Sequence, residues 1–188
     1  MDSDFDLEQV CLLNEVDEIC NKCLGPKRTG YEVCIMITKY IHSHLPANYK
    51  VAGPNSYVDD ISTEFDLLIV RAEAQPRGVA YEPRDVQVVL EIKTSGIKEN
   101  IAKYPLEIAK IRKKFDKVGM KNTKTWGAVL MCYGTIHPRR PTSHDYRAIR
   151  KNGLEPYGYG EYTLADVRTD ELESGEWGKF IKNLIERL

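Results

Sequence analysis

Apolar residues recur at helical spacing in the first part of the chain and alternate with polar ones through its middle. Leu7, Val10, Cys11, Val16, Ile19, Cys20 and Cys23 fall on one helical stripe, predicting an amphipathic helix over residues 6–23. The breaker LGPK, around Gly25 and Pro26, ends it. A second helix is expected over 31–45, starting after Thr29 and stopping before Pro46. It is apolar on most sides (Val33, Ile35, Met36, Ile37, Ile41, Leu45), so it should be largely buried. YKVAG and STEFDLLIV then read as strands, with GPNSYVDD as the turn-rich connection. RAEAQPRGVAYEPRD is a polar loop with two prolines, and DVQVVLEIKT is the next strand.

A long segment from Ile97 to Val118 follows, with a continuous apolar seam of Ile97, Ile101, Tyr104, Ile108, Ile111, Phe115 and Val118. Lys103, Lys110, Lys114, Lys117 and Lys121 form a separate basic stripe, and Pro105 should kink or restart the helix. TWGAVLMCYGTI reads as a buried strand, HPRRPTSHDYRAIRKNG as a basic loop or short helix, and SGEWGKFIKNLIERL as a closing helix. The order predicts an α/β fold, a central mixed β-sheet flanked by helices. The 188 residues suit one domain: an N-terminal helix over 1–28, a core over 29–136, and a basic loop with the closing helix over 137–188.

Composition changes this picture little, and charge changes it more. Apolar content of 42% and charged content of 29% describe an ordinary globular chain. The acidic start MDSDFDLEQ is unlike a secretory signal, and no apolar run could span a bilayer, so a cytoplasmic location is expected and no membrane partner. The net charge of -1 conceals polarity: residues 1–24 hold seven acids and one lysine, whereas 93–124 hold ten Lys or Arg against three acids. Such a protein can present a basic face to a polyanion, although solvated helix faces would give the same counts. The five cysteines suggest no disulfide framework. Cys20 and Cys23 have metal-ligand spacing, but they read better as small apolar residues of the first helix.

The stretch VVLEIKTSG poses the sharpest chemical question, because Glu91 and Lys93 interrupt an otherwise apolar strand. Residues two apart in a strand share a face, so Glu91 and Lys93 are neighbours near its C-terminal end. If the preceding strand pairs with it as a hairpin, Asp66, and with it Glu64, approaches the same edge. Two carboxylates aimed at one point form a hard oxygen site suited to Mg2+. A lysine beside them can meet developing negative charge or assist deprotonation of water. That set is what phosphodiester hydrolysis requires; a cross-strand salt bridge on a solvated sheet edge is the alternative. Glu32 has two readings as well, a catalytic carboxylate or a capping box with Thr29.

Asp66, 24 intervening residues, and Glu91-Ile92-Lys93 at the end of an apolar strand together resemble the PD-(D/E)xK nuclease superfamily, whose fold is restriction-endonuclease-like. The resemblance extends from Tyr31 to Ile136, with Phe65 standing where the family nominally has proline. It implies that Asp66 and Glu91 ligate Mg2+, with Mn2+ as a substitute, and that Ile92 lends its carbonyl to the metal. It also implies that Lys93 activates water or stabilises the transition state, and that Glu32 is the carboxylate many members carry on the first core helix. DNA is the substrate so implied. Thr94, Ser95, Lys98, Lys103, Lys110, Lys114, Arg139 and Arg140 are candidates for phosphate contact. A homodimer would suit double-strand cleavage. The expectation is therefore a Mg2+-dependent endodeoxyribonuclease of restriction, repair or recombination type. A non-catalytic nucleic-acid-binding module or nuclease-complex subunit on the same fold is the alternative, and a structural interaction domain the third.

Overall fold

Gly25 and Pro26 begin the second helix as well as ending the first. A computed structural model of the chain describes residues 3–22, 24–59, 61–95, 117, 126–134, 159–166 and 175–188. Helix α1 spans Ser3–Asn21 and α2 spans Pro26–His44. Gly25 caps α2 with φ 79°, a left-handed conformation that glycine takes without strain, and Pro26 occupies the first turn, where its missing N–H costs nothing. The N–H of Thr29 already bonds the Gly25 carbonyl at 3.0 Å. Thr29 and Glu32 are therefore inside the helix, and the capping box does not form.

The buried face of α1 also differs from the expected stripe. Gln9, Leu12, Leu13, Val16 and Ile19 are buried, while Leu7 is 66% exposed and Cys11 and Cys20 face solvent. The helix is turned so that two leucines meet the core in place of two cysteines, which buries more apolar surface.

Five strands form the main sheet in the order β1 (Tyr49–Ala52), β4 (Leu67–Arg71), β6 (Val86–Ser95), β7 (Trp126–Gly134) and β8 (Tyr159–Asp166). β1, β4 and β6 pair antiparallel, whereas β6, β7 and β8 run parallel, so the sheet is mixed. A small second sheet carries β3 (Ile61–Phe65), β2 (Ser56–Val58) and β5 (Ala80–Tyr81) in that order. The connection GPNSYVDD thus contains a strand, and the polar loop after Arg71 contains another plus a 3-10 turn at Pro83–Asp85. Strand β8 lies in the tail, where no strand was expected. Helix α3 (Glu176–Glu186) closes the chain as its apolar spacing predicts.

The sheet has two apolar faces. Leu67, Ile69, Val88, Leu90, Ile92, Ala128, Leu130 and Cys132 pack under all three helices, with Trp177, Phe180 and Ile37 among their partners. Leu68, Val70 and Val89 pack on the other side with Val58, Ile61 and Phe65 of the small sheet. Val86, two residues before Val88, nonetheless joins this second face, at a register shift of the β4–β6 pairing between Ile69 and Val70.

Carboxylates of α1 anchor the helical layer. Glu8 accepts from the Trp177 indole at 2.6 Å and pairs with His44 at 2.7 Å. Buried Gln9 donates to the Leu164 carbonyl and accepts from the Trp177 amide, and Asp6 accepts from the Gly175 amide. Gly178 lets α3 approach α1, since a Cβ there would lie 3.2 Å from Phe5. Among the described residues no helix is long and apolar enough to cross a membrane.

Candidate active site

The run STEFDLLIV was expected as one strand, but the chain breaks at Asp66 into β3 and β4, which belong to different sheets. The break also changes which side chains share a face. Phe65 packs with Leu68 and Val70, not with Leu67 and Ile69. Paired residues of β4 and β6 run from Val70↔Val86 to Leu67↔Leu90, so the ladder stops one residue short of Asp66 opposite Glu91. Departure of β3 leaves the next amide of β6 without a strand to pair with. The Asp66 side chain takes that role: its Oδ2 accepts the N–H of Ile92 at 2.8 Å.

This places three charged groups together. Glu91 and Lys93 share the face of β6 that alternation predicts, and Lys93 Nζ donates to Glu91 Oε1. The same ammonium stands 3.7 Å from Asp66 Oδ2. The three side chains are 33% (Asp66), 28% (Glu91) and 26% (Lys93) exposed, so solvent and a ligand can reach them while their field is only partly screened. Below them the strands are dry: Leu90, Val129 and Leu130 are fully buried.

Ile92 contributes through its backbone. In a strand the N–H and C=O of one residue point to the same side, so its carbonyl faces the side on which Asp66 meets its amide. Two carboxylates and one carbonyl are hard oxygen donors of the kind Mg2+ takes, with water filling its remaining positions. The Lys93 ammonium already lies against both carboxylates. Among the described residues no group of three or more His, Cys, Asp and Glu could hold a metal, so any ion here would lean on backbone and water as well.

Cys34 of α2 lies close enough to this cluster to feel it. Burial, and then the negative charge of Asp66, push its thiol from 9.0 to about 12, with Lys93 acting in the opposite sense and Glu91 in the same. Nothing in the apolar pattern of α2 distinguishes Cys34 from its neighbours, so its position could not be read from sequence. The amide of Ile92 was missed for a similar reason, since it matters only because β3 leaves the sheet.

The remaining candidates fall as follows. Glu32 sits in the second turn of α2, 39% exposed, with the exposed Arg28 at 3.9 Å. Thr94 is half-buried on β6, and Ser95 ends that strand opposite Tyr133 of β7. Glu64 is on β3, where it accepts from the Tyr57 hydroxyl at 3.0 Å. Lys98, Lys103, Lys110, Lys114, Arg139 and Arg140 lie outside the described residues, as do Cys23 and Pro105; Lys117 of the same basic segment is helical and exposed.

No protein-family model and no curated protein sequence matches the chain. Solved structures do. NucC of P. aeruginosa ATCC27853 in its cAAA-bound form superposes with TM-score 0.68 at 14% identity, covering 97% of this chain and 88% of that one. NucC of E. coli MS115-1 in its cAAA-bound form gives 0.66 at 13% identity over 97% and 87% of the two chains. The apo form of the same E. coli protein gives 0.57 at 15% identity over 96% and 89%. With the mixed sheet and its helical layer, this likeness shows that the chain has a restriction-endonuclease-like fold.

Proposed function

We propose that the chain is a metal-dependent endodeoxyribonuclease and that Asp66, Glu91 and Lys93 are its catalytic groups. The observation that carries the reading is the bend at Asp66. It brings the Asp66 carboxylate against Glu91 and Lys93 of the central strand β6, on a partly exposed surface of a fold shared with NucC. A solvated salt bridge needs no such break in a sheet.

Asp66, Glu91 and the Ile92 carbonyl would hold the metal, Mg2+ with Mn2+ as substitute. Bound there, it would supply a charge that polarises the scissile phosphate and a more acidic water. The protein's own groups do the rest. The Ile92 amide fixes the Asp66 carboxylate, so no rotamer search precedes binding. Lys93 presents a positive charge where the phosphate oxygens gain negative charge. The Lys and Arg residues at 98, 103, 110, 114, 139 and 140, together with Thr94 and Ser95, are the proposed contacts to the DNA backbone. A second copy of the chain would supply the second cut of a double-strand break.

The test is nicking of supercoiled plasmid DNA. Cleavage should require Mg2+ or Mn2+, stop with EDTA, and fall at least a hundredfold in Asp66→Asn and Lys93→Ala. Salt-sensitive DNA binding without cleavage by the wild-type chain would instead make it a non-catalytic module.

A second reading, ligand control of the same activity, starts from the cAAA bound in two of the superposed NucC structures. The E. coli protein resembles this chain more in its cAAA-bound form than in its apo form, 0.66 against 0.57. Nicking measured with and without added cAAA tests this directly: stimulation supports it, and equal rates exclude it.

A further inference from the structure

We infer that Lys93 is the resident counter-ion of the metal position, displaced when the divalent ion binds; this rests on the metal-dependent reading above. The geometry is that of an ion already in place. The Lys93 ammonium bonds Glu91 and stands 3.7 Å from Asp66 Oδ2, so it bridges the two carboxylates that would ligate a metal. Both described contacts of Asp66 fall on the same oxygen, Oδ2, which is also the acceptor for Ile92.

The charges make coexistence in this arrangement costly. Among the described residues, the two carboxylates and the ammonium sum formally to minus one. A divalent ion entering with the ammonium still seated would put two cations within a few ångströms of each other, in surroundings that screen less than water. The relief is for the lysine to leave the carboxylates. Its long, flexible stem allows that without backbone motion.

Two consequences follow. Lys93 competes with the metal, so the resting site binds divalent ions more weakly than its carboxylates alone would. The metal also frees Lys93 for the phosphate, so the positive charge reaches the substrate only when the ion is present. One residue thus weakens metal binding and yet is required for cleavage.

The experiment is a Mn2+ titration of the full chain without DNA, with free ion read by electron paramagnetic resonance. Lys93→Ala should bind Mn2+ about tenfold more tightly than wild type, while losing cleavage. Methylammonium, restored to the vacated space, should weaken that binding again. Asp66→Asn should abolish the site. A site lost in Asp66→Asn but not tightened in Lys93→Ala overturns this inference alone. Equal, weak binding by wild type and Asp66→Asn overturns the metal reading with it. A measurement on the wild-type chain guards against misfolding of the variant: the side-chain NMR signal of Lys93, assigned by its absence in Lys93→Arg, should move on addition of Mg2+. A signal that stays in place overturns the inference.

Discussion

Asp66 Oδ2 and the backbone N–H of Ile92 form a 2.8 Å hydrogen bond across the point where β3 leaves the main sheet. A side chain thereby completes a ladder that the backbone has abandoned. The same carboxylate serves folding, as an acceptor, and the candidate site, as a charge.

Substitution at Asp66 separates these two roles. Asparagine keeps an acceptor oxygen and loses the charge, so Asp66→Asn should fold with nearly wild-type stability in urea while losing divalent-ion binding and nicking. Alanine removes both, and Asp66→Ala should cost about 1 kcal/mol more, the size of one hydrogen bond at a partly buried amide. Equal stability of the two variants would show that the Ile92 contact contributes nothing to folding.

Glu8 should matter more than its place in an acidic run suggests. It accepts from both the Trp177 indole and His44, joining α1, α2 and α3 at one carboxylate. Glu8→Ala leaves the indole N–H of a buried tryptophan without this acceptor and should lower the unfolding free energy by about 2 kcal/mol. Glu15, whose bond to Tyr40 is exposed, should cost about half a kcal/mol at most when replaced by alanine. Urea midpoints at constant slope measure both.

Glu32→Gln should leave nicking within about threefold of wild type, because only an exposed pair with Arg28 is disturbed. Helical geometry supports this. Two residues along a helix turn the side chain by about 200°, which sets Glu32 on the flank opposite Cys34, the α2 residue that feels the cluster. A loss comparable to Asp66→Asn would place Glu32 among the catalytic carboxylates.

Stability should decline as pH rises above about 9. Burial holds the Cys34 thiol protonated up to about 12 and pushes that of Cys132 up as well, from an ordinary 9.0. The unfolded chain therefore releases these protons first, and unfolding is favoured increasingly between pH 9 and 12. Below pH 9 both states keep them and the contribution is fully present. Urea unfolding from pH 7.5 to 10.5 should show the decline, and a Cys34→Ala, Cys132→Ala double variant should show a shallower one.

Much of the site was legible because strand geometry is local. A period of two placed Glu91 and Lys93 on one face of β6 from the sequence alone, and the structure has them bonded there. The acidic N-terminal run was legible as composition only. That Asp6, Glu8, Glu15 and Asp17 accept hydrogen bonds from distant residues depends on which elements α1 touches. Strand β8 was not anticipated, and it takes its place by parallel pairing with β7.

The sequence by itself determined the alternation that makes β6 a strand, the pairing of Glu91 with Lys93, and the α/β order of elements, since each follows from the spacing of near neighbours. Only the tertiary structure decided that the chain breaks at Asp66, that this carboxylate meets Ile92 and Lys93, and that Cys34 lies close enough to feel them. These relationships join residues far apart in the chain. They arise because β3 packs on a second apolar face and leaves the main sheet, an outcome of competition between whole layers that no local periodicity records.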